Sequence, residues 1–229
     1  MLQLKRFFKT VIKYKTSTYL TLLSLIVSFL GIIILSLYVS FEKSFDKFNK
    51  NGNNIYRIET LQYGSALPAV MSKLVIDKIP EVENIVTLRS WNFEVASEKQ
   101  KESNINFSAD SYFADSSFFN IFSFPLISGD KNTALVEPNS VVISKMLAQK
   151  IFGTYDALGQ TLIIMNQPFK ITGIMENLPK NSSIKGDCLV SLSTLRKNNG
   201  FAVNEWSEWS FTLFVQLRQG VNGADVGKK

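Results

Sequence analysis

The rhythm of apolar and polar positions divides this chain. From Thr16 to Phe41 no side chain is charged. Roughly 20 apolar residues at about 1.5 Å each cross a hydrocarbon core, so the run predicts a transmembrane helix over residues 16–41. It exceeds the roughly 7 to 15 residues of a secretory h-region, and Leu37, Tyr38, Val39, Ser40 and Phe41 offer no small-x-small cleavage site. Ahead of it, Leu4, Phe7, Phe8 and Val11 share one helical face, and Arg6, Lys9 and Lys13 the other. Residues 1–15 therefore read as an amphipathic basic helix whose apolar side meets membrane lipid. Phe41, Phe45 and Phe48 keep the helical period, predicting a stalk over 42–50 that Asn51-Gly52 ends.

Beyond the stalk the period drops to two. Ile55 to Gln62 alternates as a strand with one buried face does. Pro68, Met71, Leu74 and Val75 predict an amphipathic helix that Pro80 cuts off. Val82 to Val95 and Asn104 to Tyr112 read as strands around a charged turn, Glu98 to Glu102. Val141 to Ile143 is a short apolar strand, and Ser144 caps a helix that runs through Lys150 and closes near Gly153. Thr161 to Met165 and Phe169 to Met175 form a hairpin around Asn166-Gln167, with Pro168 at the start of the second strand. Trp206 to Arg218 reads as a last long strand. Helices and strands alternate irregularly, which predicts an α+β fold with a mixed sheet over residues 51–220; residues 221–229 read as a truncated tail.

Charge supplies the orientation. Lys5, Arg6, Lys9, Lys13 and Lys15 precede the span with no acid among them, while Glu42, Lys43, Asp46 and Lys47 behind it nearly cancel. The N-terminus is expected in the cytoplasm and the main domain outside. The formal net charge of +6 falls to +1 without those five cations, so the basic balance is topogenic and a nucleic-acid surface is not expected. Roughly 185 residues outside suffice for one or two packed domains. A lone Cys188 forms no intrachain disulfide and reads as a core residue beside Leu189 and Val190. Within the span, Ser24, Ser28 and Gly31 recur at helical spacing, a strip of small residues that either lets a neighbouring helix approach or is simply tolerated in a long apolar helix.

Catalytic chemistry is hard to assemble. With no His in the chain, His-dependent triads and His-ligated metal sites are excluded, and one Cys excludes Cys-rich metal sites and the C-x-x-C redox pair. No cofactor, metal or catalytic residue is predicted. Gly153 and Gly159 bracket a loop with the wrong spacing for a phosphate loop, and Gln160 stands where its lysine belongs. Ser44 with Lys47 and Ser182 with Lys185 match S-x-x-K, a spacing that chance supplies in a chain rich in both residues.

Two stretches carry a resemblance. The first is Glu42, Ser44, Phe45, Asp46 and Phe48, continuing through Asn49 to Arg57. The second runs Phe118-Phe119-Asn120-Ile121-Phe122-Ser123-Phe124, Gly129-Asp130, Ala134-Leu135, Pro138 to Ser144, Ala148, Lys150, Phe152-Gly153, Asp156, Leu158-Gly159, Ile171-Thr172-Gly173 and Leu178 to Ser182. In order and spacing, and in following an N-terminal anchor, they resemble the periplasmic core domain of MacB-type and FtsX-type ABC transporter permeases, particularly a multi-copy group of Bacteroidetes. Locally, Phe118, Phe119, Phe122 and Phe124 read as a structural apolar cluster at a helix-to-strand junction, and Gly129-Asp130 and Phe152-Gly153 as turns.

The resemblance implies an inner-membrane permease with four transmembrane helices, the large external domain lying between the first and second. It also implies a cytoplasmic ABC ATPase as partner and a non-catalytic role in coupling ATP-driven motion to export or mechanotransmission in the periplasm. A homodimer and a periplasmic adaptor or outer-membrane component are further partners it allows. A second apolar span is missing from the sequence, which is expected of a fragment or a truncation. The rival reading is a stand-alone, membrane-tethered binding or sensor domain outside the cytoplasm.

Overall fold

The computed structural model describes residues 14–103, 105–198 and 203–227, and the chain divides into two compact units, Met1–Phe45 and Asp46–Lys229. In the first unit, helix α1 spans Lys15–Glu42, within a residue of the uncharged run, and none of its residues is buried. Its 28 residues, at about 1.5 Å each, exceed the roughly 30 Å of a hydrocarbon core. The helical stalk expected over 42–50 does not form. Helix α1 ends at Glu42 and the chain continues in turns. The physical reason is Asp46, whose φ of 56° is left-handed and cannot continue an α-helix. The basic helix expected over residues 1–15 falls, up to Lys13, outside the described residues.

The second unit is one mixed sheet with short helices on it. A 3-10 turn at Gly52–Asn54 leads into β1 (Ile55–Arg57), then α2 (Met71–Lys78), β2 (Val82–Ser97), α3 (Glu98–Glu102) and β3 (Phe107–Ala114). Next come α4 (Phe118–Ile121), β4 (Leu126–Gly129), β5 (Ser140–Ser144), α5 (Lys145–Phe152), β6 (Thr161–Ile164) and β7 (Gln167–Met175). Strand β8 (Cys188–Ser191), α6 (Ser193–Lys197), β9 (Thr212–Leu217) and α7 (Gly223–Val226) complete it. The strand order is β1-β9-β2-β3-β8-β5-β7-β4. β3 with β8 and β5 with β7 are parallel; the other pairs are antiparallel. Because β6 pairs with both β2 and β7, six strands close a circuit: β2, β3, β8, β5, β7 and β6.

Each face of the sheet has its own core. Phe93, Val95, Phe113, Val141, Ile143, Ile171, Cys188 and Val190 pack on one, and Val86, Leu88, Val142, Met175 and Leu189 join the phenylalanine cluster on the other. Adjacent residues of β5 and β8 thus point into different cores, as the two-residue period of a strand demands.

Local chemistry explains the elements. The Ser144 hydroxyl accepts from the Leu147 amide at the start of α5, and Gly153 closes that helix at φ 69°. The charged stretch Glu98–Glu102 is a helix rather than a turn, because Ser97 and Gln100 form a reciprocal capping box. The hairpin turns at Met165-Asn166, with φ of 52° and 63°, one residue before the predicted Asn166-Gln167. Pro168 is the second residue of its strand, not the first. β1 is shorter than its alternation predicts, since Thr60 and Gly64 exchange backbone hydrogen bonds that fold the chain back. The last strand starts at Thr212 rather than Trp206, because residues 203–207 form turns and Glu208 fastens the segment to Arg89 of β2.

Candidate functional site

The residues that spacing marked for chemistry are occupied structurally. The Ser182 hydroxyl is buried and donates to the Ile184 carbonyl at 2.8 Å; that of Ser44 donates to Phe41 at 2.6 Å. Gly153 caps α5, and the Gly159 amide donates to the Ile171 carbonyl at 2.8 Å, so this loop points no row of free amides at a phosphate. Among the described residues no group of three or more acidic, His or Cys side chains could hold a metal.

Cys188 is fully buried, and burial pushes its thiol up to about 12. Only the thiolate is a nucleophile, so iodoacetamide is expected to label Cys188 in the unfolded chain and not in the native one. The native state holds this proton more tightly than the unfolded state, whose thiol titrates near 9.0. The associated stability is complete below that pH. It should fall by about 1.4 kcal/mol per pH unit as pH rises toward 12; a flat denaturation profile across this range would contradict the burial.

The aromatic residues meet in one cluster. The Phe118 and Phe124 rings stack at 5.2 Å and 8°; Phe119 and Phe122 lie 5.2 and 5.1 Å from Phe118, and Phe214 of β9 closes edge-on against Phe122 at 5.4 Å. All four predicted residues are buried. Phe48 reaches Phe124 at 5.3 Å, so the segment that follows α1 shares the cluster. Sequence holds the cluster through Asp115, which accepts from the amides of Thr87 at 2.8 Å and Ser117 at 3.1 Å while the Ser117 hydroxyl donates to Ile85. Burial raises the Asp115 carboxyl above the usual carboxylate range, against the opposing effect of its hydrogen bonds.

Two clasps secure the start of the domain. The Asp46 amide donates to the Asn181 carbonyl at 2.9 Å, and its carboxylate accepts from the Ser183 amide at 2.9 Å. The Asn49 side chain accepts from the Ser123 amide at 2.9 Å, and the Lys50 amide donates to the Ser123 hydroxyl at 3.0 Å. Spacing gave no sign of either, because the partners lie more than seventy residues away.

On α1, Ser24 and Ser28 donate to the backbone carbonyls of Thr21 and Ser24, each at 2.8 Å, and a Cβ at Gly31 would meet nothing within 4 Å. That face is smooth and its hydroxyls are satisfied. Beside β1, an open groove of about 390 Å³ runs over Tyr56, Met71, Val75, Ile79 and Val226, next to the place where Tyr56 passes under Gly223. At the far end of β1, Leu61, Tyr63, Trp206 and Trp209 are exposed. Underneath, Arg89 sits between the Trp91 and Phe211 rings, at 5.4 and 5.2 Å, and reaches Glu208 at 3.3 Å. Desolvation lowers the Arg89 pKa, and Glu208, whose side chain is 30% exposed, opposes the shift.

The fold recurs in solved structures. A domain of a putative permease protein from Porphyromonas gingivalis matches with a TM-score of 0.67 at 24% identity, covering 78% of this chain and 81% of that one. The periplasmic region of MacB from Actinobacillus actinomycetemcomitans gives 0.56 at 16% identity over 76% and 78% of the two chains. The extracellular domain of the noncanonic ABC-type transporter YknZ from Gram-positive bacteria gives 0.53 at 16%, over 75% and 86%. No curated protein sequence matches significantly. Residues 18–229, nearly the whole chain, match the family described as the MacB-like periplasmic core domain. With its mixed sheet and apolar N-terminal helix, the chain belongs to the family of MacB-like periplasmic core domains found in ABC transporter permeases.

Proposed function

We propose that the chain acts as the permease subunit of a MacB-type or FtsX-type ABC transporter, without catalysis of its own. Helix α1 crosses the inner membrane with residues 1–15 on the cytoplasmic side, and residues 51–220 work in the periplasm. A separate cytoplasmic ABC ATPase supplies the energy, and the domain passes its motion to export or mechanical work outside. The observation that carries this reading is a 28-residue helix with no buried residue, joined in sequence to a domain of this family. The strip at Ser24, Ser28 and Gly31 supports it: small side chains with satisfied hydroxyls suit close packing against a second transmembrane helix. The clasps at Asp46 and Asn49 suit force transmission, since they leave no slack chain at the start of the domain.

Reporter fusions test the topology. Alkaline phosphatase joined after Phe48 is expected to be active, and a cytoplasmic reporter at the same place dark; the reverse pattern would sink the reading. Coupling is tested by purification. The chain alone should hydrolyse no ATP and hold a cytoplasmic ABC ATPase only weakly; stable co-purification should require a four-helix permease that contains this chain, and the ATP turnover of that complex should change when Asp46 and Asn49 are replaced together by Ala. Turnover indifferent to those replacements would favour a tethered binding domain.

A further inference from the structure

Among the large apolar side chains that the domain leaves exposed, four, including both exposed tryptophans, lie on the two loops where β1 stops and β9 begins: Leu61, Tyr63, Trp206 and Trp209. Thr60 and Gly64 exchange backbone hydrogen bonds of 2.8 and 2.9 Å, which puts Leu61 at the apex of a tight loop, fully exposed. Tyr63 lays its ring 4.4 Å from Trp209, joining this loop to residues 203–210, in which Trp206 is 55% exposed. Soluble surfaces scatter single apolar residues; four exposed on two joined loops, two of them Trp, mark an interaction site.

The two loops are built to hold this shape. Leu67 and Phe211 exchange backbone hydrogen bonds of 2.8 and 3.1 Å below them. Glu208 reaches inward to Arg89, which is wedged between Trp91 and Phe211. Anchors already held in place lose little freedom when a partner covers them.

Charge says what kind of partner fits. Residues 58–66 and 203–210 carry Glu59, Glu205 and Glu208 but no Lys or Arg, although lysines are spread over the rest of the domain. Arg57 pairs with Glu59, and Arg89 with Glu208. Glu205 is left exposed beside Trp206; it accepts from the Ser207 hydroxyl at 3.0 Å and meets no cation among the described residues. The surface is therefore aromatic with an uncompensated negative charge, and indole faces attract cations as well.

We propose that this end of the domain is a docking surface for a basic amphipathic segment of a partner protein. Its apolar side chains cover Leu61, Tyr63, Trp206 and Trp209, and its Lys or Arg side chains meet Glu205. The proposal is independent of ATP coupling, since a tethered sensor could use the same surface.

The test uses the full chain in zwitterionic lipid nanodiscs, labelled with 5-fluorotryptophan and followed by fluorine NMR. The probe is a synthetic Leu-Lys amphipathic peptide, with a Leu-Glu peptide of equal length as its control. The Trp206 and Trp209 signals are expected to shift saturably with the Leu-Lys peptide while Trp91 stays put. Glu205→Lys and Leu61→Ser should each raise the half-saturating concentration about tenfold or more, equivalent to about 1.4 kcal/mol. Both residues are exposed, so neither change should disturb folding. Equal shifts with the Leu-Glu peptide, or unchanged affinity in both variants, would overturn the proposal. So would Trp206 and Trp209 shifts produced by added lipid vesicles, which would assign the surface to a membrane, or shifts that grow with protein concentration alone, which would assign it to a second copy.

Discussion

Phe118→Ala is expected to destabilise the domain by about 3–5 kcal/mol, near the upper end for a single truncation. The ring is 1% exposed and contacts Phe119, Phe122 and Phe124 at 5.1 to 5.2 Å, so removing it opens a cavity that several aromatic neighbours line. Those rings are themselves fixed by β2, by β9 and by Asp115, which leaves little room for collapse. Phe122→Ala should cost somewhat less, since its position at the end of α4 lets the chain relax. Urea denaturation of a soluble fragment that starts at Asp46 would measure both. Starting at Asn51 would discard Phe48, Asn49 and the Asp46 clasp, so that shorter fragment should itself be less stable. Near-neutral values for both variants would mean that the cluster is an exposed contact surface and not a core.

What could be read in advance follows from where the controlling interactions lie. Helix α1 was legible because twenty-six consecutive uncharged residues, Thr16 to Phe41, are a property of the segment alone. Helix α5 was legible because Ser144 and Gly153 cap it locally. Strand β8 carried no alternation to read, since Cys188 and Val190 face one core and Leu189 the other. The two-residue period from Ile55 to Gln62 reported sidedness, but only a partner sets strand length, and the ladder of β1 on β9 ends with the Ile58 amide donating to the Leu213 carbonyl at 2.9 Å. The hairpin turns one residue earlier than Asn166-Gln167 suggests, because Met165, an unusual residue for a left-handed turn position, takes the first of its two places.

The candidate surfaces were less legible. A strand over Trp206 to Arg218 would send Trp206 and Trp209 to opposite faces, since residues three apart in a strand point to opposite sides. In a fastened turn both stay exposed, and the available signal was the Glu-Trp-Ser-Glu-Trp run at residues 205–209 without a lysine. Asp46 and Asn49 gave no local signal, because their function depends on Ser183 and Ser123 far along the chain. The phenylalanines at 118, 119, 122 and 124 could be read as apolar and clustered. Their link to Phe48 and Phe214 required the fold.

Gly129→Ala is expected to be about as damaging as Phe118→Ala, although it adds one methyl group to an exposed strand end. Gly129-Asp130 looked like a turn, and Ile171-Thr172-Gly173 like an unremarkable strand. In the structure Gly129 lies directly opposite Gly173 across β4 and β7. Its φ is 96°, a conformation that side chains other than hydrogen strain to adopt. A Cβ there would stand 2.4 Å from the Thr172 carbonyl oxygen and 2.8 Å from the Gly173 Cα. Both obstacles are backbone, so no rotamer change relieves them; strand β4 has to leave β7. Backbone strain of about 1–3 kcal/mol adds to an overpacking cost of about 1–3 kcal/mol, giving roughly 2–6 kcal/mol in all. Gly173→Ala supplies the comparison. Its φ is not left-handed, and its Cβ would meet Val142 Cγ2 at 3.2 Å, a side-chain atom that can yield, so it should cost about 1–2 kcal/mol. Chemical denaturation of the two variants, with hydrogen exchange at the Gly129 and Met175 amides, separates local from global loss. Equal, small effects at both positions would show that β4 does not approach β7 this closely.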